Sequence, residues 1–233
     1  GRVNRSHEFT EKYISYLKGL TDERFDGFEV AVDAGNGAQS FIAEEVLKSY
    51  GARVKIINNE PNGKNINDKC GSTNPKLIED LVKKEKSHIG MSFDGDADRI
   101  IAVDEEGKIV DGDHILAIAA TYLKENNKLN NNAAVGTIMS NMGLKKYLES
   151  IDVDFIETKV GDRYILERML KDDYIIGAEQ SGHVIFLDYN TTGDGLATGI
   201  HLLEIMKKTG KKLSELNGLM KDYPQVLKNA RVR

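Results

Sequence analysis

Short apolar runs alternate with stretches of helical periodicity along all 233 residues, and this alternation confines the chain to the α/β class. Phe9, Tyr13, Ile14, Leu17 and Leu20 mark a first helix over residues 8–20. An apolar strand over 28–33 passes through Ala34-Gly35-Asn36-Gly37-Ala38 into a helix over 39–50, and a strand over 53–57 completes a βαβ unit. A helix over 75–86 follows, with Asn74 as its cap and Pro75 at its first position. Runs 88–93, 100–103 and 108–110 read as strands, the last two joined by the turn Asp104-Glu105-Glu106-Gly107.

A second round of alternation begins there. Asp111-Gly112-Asp113 caps a helix over 113–126, a strand covers 133–139, and Ser140 or Asn141 caps a helix over 141–150. Strand 154–158 and helix 163–171 come next, then strands 174–178 and 183–187, close enough to pair antiparallel. Helices over 194–208 and 213–222 close the pattern. The expected fold is α/β, two consecutive α/β/α sandwich domains with mixed sheets, divided into residues 1–108 and 109–233.

Chemistry concentrates in Asp94-Gly95-Asp96-Ala97-Asp98-Arg99, a turn between two apolar strands. Three carboxylates this close repel one another unless solvent or a cation neutralises them. Oxygen ligands with no His or Cys beside them in the sequence favour a hard cation, Mg2+ first. Four readings are open. One is a solvated acidic turn. An EF-hand would place ligands at Asp94, Asp96, Asp98 and Glu105, but Arg99 stands where it needs Gly and strands replace its helices. An aspartyl-phosphate-forming phosphatase would use Asp94 as nucleophile. A phosphoryl-transfer enzyme would hold Mg2+ on the trio with Arg99 facing the phosphate.

Other stretches are less specific. Gly35-x-Gly37-x-x-Ser40 lacks the third glycine of a dinucleotide fingerprint and reads as a tight strand-to-helix turn. Residues 62–75 form a long polar loop in which Cys70 reads as structural. Lys159-Val160-Gly161-Asp162-Arg163-Tyr164 sits where a strand hands over to a helix, as a phosphate-side cation or equally as a solvated cap. In Gly177-Ala178-Glu179-Gln180-Ser181-Gly182-His183, Glu179 offers acceptors and Ser181 both donor and acceptor, suited to neighbouring sugar hydroxyls. His183 is a candidate proton shuttle or, more naturally, an orienting group. Asp188-Tyr189-Asn190-Thr191-Thr192-Gly193-Asp194-Gly195 caps the helix that follows.

A net charge of −5 without a basic patch argues against nucleic acid and anionic membrane as partners. The longest strongly apolar stretch, near residues 115–123, is far short of a membrane span. No signal peptide is visible, and a single cysteine cannot form an intrachain disulfide, so the expected setting is cytoplasmic. The chain starts at Gly1 and stops on Ala230-Arg231-Val232-Arg233, which reads as the start of a strand; both ends look cut.

The Asp94–Arg99 loop resembles the metal-binding loop of the phosphohexomutases, the phosphoglucomutase/phosphomannomutase superfamily. Asp33-x-x-Asn36-Gly37-Ala38 is similar to a turn of that family's second domain. The run Asn65-Ile66-Asn67-x-x-Cys70-Gly71-Ser72, the run from Lys159 to Tyr164, and Gln180 within the loop from Gly177 to His183 resemble its bacterial phosphoglucosamine mutase branch. Ala178 departs from a Gly common in relatives. The resemblance implies the second and third of four domains, with Mg2+ on Asp94, Asp96 and Asp98, and Arg99 and Lys159 as catalytic residues. It implies Glu179, Ser181 and His183 as contacts to a sugar phosphate, with glucosamine 6-phosphate and glucosamine 1-phosphate as the expected pair. Family members carry a phosphoserine in Thr-Ala-Ser-His-Asn-Pro on the first domain and a clamp, Arg-x-Ser-Gly-Thr-Glu-Pro, on the fourth. Neither string occurs here, so the missing first and fourth domains are the expected partners and the chain alone is expected to be inactive.

Overall fold

The computed structural model describes residues 8–226. Its elements are α1 (Glu8–Leu17), β1 (Glu29–Asp33), α2 (Ala43–Ser49), β2 (Arg53–Ile57), α3 (Lys76–Glu85), β3 (Ile89–Phe93), β4 (Ile100–Asp104) and β5 (Ile109–Val110). They continue as α4 (Gly112–Glu125), β6 (Ala133–Thr137), α5 (Met142–Ser150), β7 (Asp154–Thr158), α6 (Asp162–Asp172), β8 (Ile176–Ala178), β9 (Val184–Phe186), α7 (Gly195–Thr209) and α8 (Leu213–Asn217).

Two mixed sheets form, as the alternation predicts. The first has the order β2-β1-β3-β4-β5, with β2, β1 and β3 parallel and β4 and β5 antiparallel. The second has the order β7-β6-β8-β9, with β9 antiparallel at its edge. Strands β3, β4 and β6 are buried along their whole length, which explains their continuous apolar runs. Each sheet receives one helix on its outer face at a glycine. A methyl group on Gly90 would lie 2.6 Å from Val82 of α3, and one on Gly177 would lie 2.6 Å from Ile165 of α6. A side chain at either position would lift its helix off the sheet.

The inner faces share one core. A single apolar cluster runs from Val32 and Met91 of the first sheet through Leu196, Ile200 and Leu203 of α7 to Ile176 and Val184 of the second. Helix α7 packs on β3 and β4 as well as on β9, and α4 packs on β8, β6 and β9. Ile78 and Val82 fill a smaller cluster outside the first sheet, and Ile165 and Met169 one outside the second.

Local departures from the sequence reading have local causes. The helix expected over 39–50 is a 3-10 turn, Ala38–Phe41, followed by α2. Asn74 does not cap α3; Pro75 is its N-cap and no side chain bonds there. The strand expected to reach 139 ends at Thr137, where Ser140 N–H turns back to the Thr137 carbonyl at 3.0 Å. The last helix stops at Asn217 rather than 222, just before Gly218. Strand β5 runs to Val110, so a cut after residue 108 would divide the β4–β5 hairpin. The caps Asp111, Asn141 and Asp194 form as expected, each side-chain oxygen accepting main-chain N–H groups of its own helix.

Candidate functional site

Strand β3 delivers Asp94 and β4 begins at Ile100, so the acidic turn is clamped between two buried antiparallel neighbours. Inside it Ala97 takes a left-handed φ of 63°, its N–H bonds the Asp94 carbonyl at 3.2 Å, and Arg99 N–H bonds Asp94 Oδ1 at 3.2 Å. This curl turns the three side chains together. Carboxylate oxygens of Asp94, Asp96 and Asp98 all lie within 4.8 Å of one another. Burial, aided by the charges of Asp98 and Asp96 and opposed by the Arg99 N–H, pushes the Asp94 carboxyl up to about 6. An all-oxygen donor set of three carboxylates this close together fits a hard divalent cation. The EF-hand alternative fails: strands flank the loop, and Glu105 instead accepts from Ser214 N at 3.1 Å and from Ser214 Oγ at 2.5 Å.

The turn after β1 supports the loop from beneath. Ala38 N–H donates to the Gly95 carbonyl at 2.9 Å. Asp33, fully buried, accepts from Gly35 N at 3.0 Å, Asn58 Nδ2 at 2.9 Å and Gly71 N at 2.9 Å, tying that turn to the 62–75 loop. Cys70 is buried there beside Asn36 Nδ2, and burial raises its thiol pKa. This agrees with a structural role.

The second sheet contributes the loop between β8 and β9, and main chain fastens it to the acidic turn. Arg99 and His183 form an isolated antiparallel bridge, and Ile100 N–H donates to the Gly182 carbonyl at 3.1 Å. Gly182 has φ +95°, and a methyl group on it would lie 2.0 Å from the Ile100 carbonyl oxygen. Glu179 is buried, with Oε1 accepting from Gly161 N at 2.8 Å and Oε2 lying 3.4 Å from Ser181 Oγ. Ser181 is exposed.

The expected site residues are thus largely brought together, with two exceptions. The resemblance implies His183 as a sugar contact and its own chemistry an orienting group; it is 1% exposed and both ring nitrogens are engaged. Nδ1 lies 3.1 Å from Asp98 Oδ2 and Nε2 accepts from Gly193 N at 3.0 Å, so it faces the acidic turn rather than an open cleft. Lys159 is exposed with Nζ 5.8 Å above the Tyr164 ring; its turn reaches the site through the Gly161 N–H rather than through the ammonium. Arg99 keeps a partly exposed side chain, Nε 3.8 Å from Asp98 Oδ1. Sequence reasoning missed Gly193, which read only as part of a helix cap. A methyl group there would lie 2.6 Å from the Asp98 carbonyl oxygen and 2.7 Å from the His183 ring.

Two family models match, and between them they span nearly all of the described chain. Residues 11–107 match the phosphoglucomutase/phosphomannomutase alpha/beta/alpha domain II, and residues 111–223 match domain III. The chain belongs to the phosphoglucomutase/phosphomannomutase family. Among curated phosphohexomutases, it is 54% identical over its full length to the phosphoglucosamine mutase of Alkaliphilus oremlandii, covering 52% of that protein. It is 49% identical to the phosphoglucosamine mutase of Listeria monocytogenes, again covering 52%. The chain therefore spans about half the length of the curated relatives it matches. Its fold superposes with TM-score 0.78 at 24% identity on a phosphoglucomutase/phosphomannomutase family protein of Burkholderia thailandensis, covering 93% of this chain and 47% of that one. With TM-score 0.73 at 20% identity it superposes on Aspergillus fumigatus N-acetylphosphoglucosamine mutase in complex with GlcNAc-6P and magnesium, covering 93% and 50%. Among the described residues no helix is long and apolar enough to cross a membrane.

Proposed function

We propose that this chain supplies the metal loop and the sugar loop of a phosphoglucosamine mutase that interconverts glucosamine 6-phosphate and glucosamine 1-phosphate. The observation that carries the reading is the junction of the Asp94–Asp98 turn with the Glu179–His183 loop through Asp98 and His183. Identity of 54% to a phosphoglucosamine mutase along the whole chain, and Gln180 between Glu179 and Ser181, support the amino sugar over glucose or mannose phosphates.

Asp94, Asp96 and Asp98 would hold Mg2+, which when bound supplies Lewis-acid stabilisation of charge on a transferring phosphoryl group. Arg99 adds a fixed positive charge at the rim of the same turn. Glu179 and Ser181 present acceptors and a donor to sugar hydroxyls, Glu179 being held in place by the Gly161 N–H. Lys159, exposed on the surface beside Tyr164, would have to swing away from that ring to meet the phosphate. The resemblance further implies a phosphoserine on a first domain, a bisphosphate that turns over in the cleft, and a phosphate clamp on a fourth domain. The setting is cytoplasmic, in keeping with a buried free thiol at Cys70.

The test is kinetic. In the longer protein containing this chain, kcat/KM is expected to be highest for the glucosamine phosphates; preference for glucose or mannose phosphates moves the assignment to a sister enzyme. The 233-residue chain alone is expected to give no turnover in a coupled assay, and turnover abolished by Asp96→Asn would refute the dependence on further domains.

A further inference from the structure

We infer that His183 is a positioning residue of the metal centre: it presents Asp98 to the cation from the neighbouring sheet. The inference rests on the proposed metal site and adds a residue to it.

Gly193 N–H points at His183 Nε2 from 3.0 Å, and a nitrogen that accepts this bond carries no proton. The single ring proton of a neutral imidazole is therefore on Nδ1, where it donates to Asp98 Oδ2 at 3.1 Å. Both contacts are held by main chain that cannot retreat. Gly193 is packed against the Asp98 carbonyl and the imidazole ring, while His183 is tied to Arg99 by the isolated β-bridge. The ring is 1% exposed, so water does not compete for either nitrogen.

The consequences for Asp98 are specific. One of its oxygens is held by the imidazole N–H, which fixes the rotation of the carboxylate and leaves the other oxygen for Arg99 and the cation. Asp94 is oriented by an N–H from its own turn, but Asp98 is oriented by a residue from the second sheet. Metal affinity is thus set jointly by the two sheets. A hydrogen-bond partner behind a metal ligand typically changes affinity by ~10–100-fold when removed.

The discriminating experiment is calorimetric titration of the 233-residue chain with Mn2+ alone, comparing His183→Asn with His183→Gln. Asn places an amide N–H near the position of Nδ1, whereas Gln extends past it toward the position of Nε2. Both keep a polar, hydrogen-bonding group, and thermal melts without metal check that each is folded. The expected result is Mn2+ affinity within a few-fold of the parent for His183→Asn and roughly 10–100-fold weaker for His183→Gln. Nitrogen chemical shifts of the parent ring should show Nδ1 protonated and Nε2 bare. Equal affinities for the two variants, or a ring protonated on Nε2, overturn the inference while leaving the metal site intact. Parent affinity unchanged by Asp96→Asn overturns the metal site and the inference together.

Discussion

Gly37 and Gly95 meet back to back: a methyl group on Gly37 would come within 2.3 Å of the Gly95 carbonyl oxygen and 2.8 Å of its α-carbon. Gly37 has φ −109°, an ordinary value, so glycine is needed there for space and not for conformation. Gly37→Ala is expected to push the acidic turn outward, costing ~1–3 kcal/mol of stability. Mn2+ affinity should fall as well, and a titration paired with a melt reads both.

Asp96→Asn should separate folding from function. Its charge is one of the groups raising the Asp94 pKa, so neutralising it relieves repulsion in the metal-free protein. The melting temperature without metal is expected to rise slightly, and divalent-metal affinity to fall sharply. A melt that moves down instead would show that the trio is not under mutual strain.

Glu105→Ala is expected to leave metal affinity unchanged while lowering the melting temperature. The carboxylate holds Ser214 N and Oγ at the start of α8, so its loss frees a partly buried pair of donors at ~1–3 kcal/mol. Weakened metal binding in this variant would return Glu105 to the ligand set.

Asp113 contributes to the pH dependence, in the same window as Asp94. It is fully buried, and burial pushes its carboxyl up to about 6, against an N–H from Asn141 at 2.6 Å. A folded value above the ordinary 3.8 means that the native state holds this proton more tightly than the unfolded chain. Its favourable contribution is complete below about 4 and is lost as pH rises through about 6. Chemical denaturation of the metal-free protein across that window should show a stability decline that Asp113→Asn reduces, by up to ~3 kcal/mol for a shift of this size. An identical pH profile for the variant would remove Asp113 from the account.

Glu179→Ala removes the acceptor of Gly161 N–H and a proposed hydroxyl contact at once. In the longer protein, kcat/KM for every sugar phosphate tried is expected to fall by an amount equivalent to roughly 1–3 kcal/mol. A loss confined to one sugar would make Glu179 a specificity residue instead.

Much of the architecture was legible because it is written in periodicity and capping. The buried strands β3, β4 and β6 are uninterrupted apolar runs, and Asp111, Asn141 and Asp194 stand where helices begin. The acidic trio and the Glu179 loop were legible as strings. Their junction was not. The His183–Asp98 contact joins residues far apart in the chain through ring nitrogens, and no spacing rule records that. Gly193 and Gly37 were likewise opaque, since the need for a missing side chain appears only once the neighbouring backbone is in place.

Helix α7 lies in the half of the chain matched to domain III, yet it rests on β3 and β4 of the first sheet. Gly199 approaches Met91 so closely that a methyl group on it would lie 2.6 Å from the sulfur, and Gly195 abuts Phe93 and the Arg99 carbonyl in the same way. A chimera that crossed over between two distant relatives near residue 110 would therefore set one parent's α7 on the other parent's sheet. Successful shuffling of these halves requires Met91, Phe93 and Ile100 to travel with Gly195 and Gly199, so the seam between sequence modules is a poor place to cut.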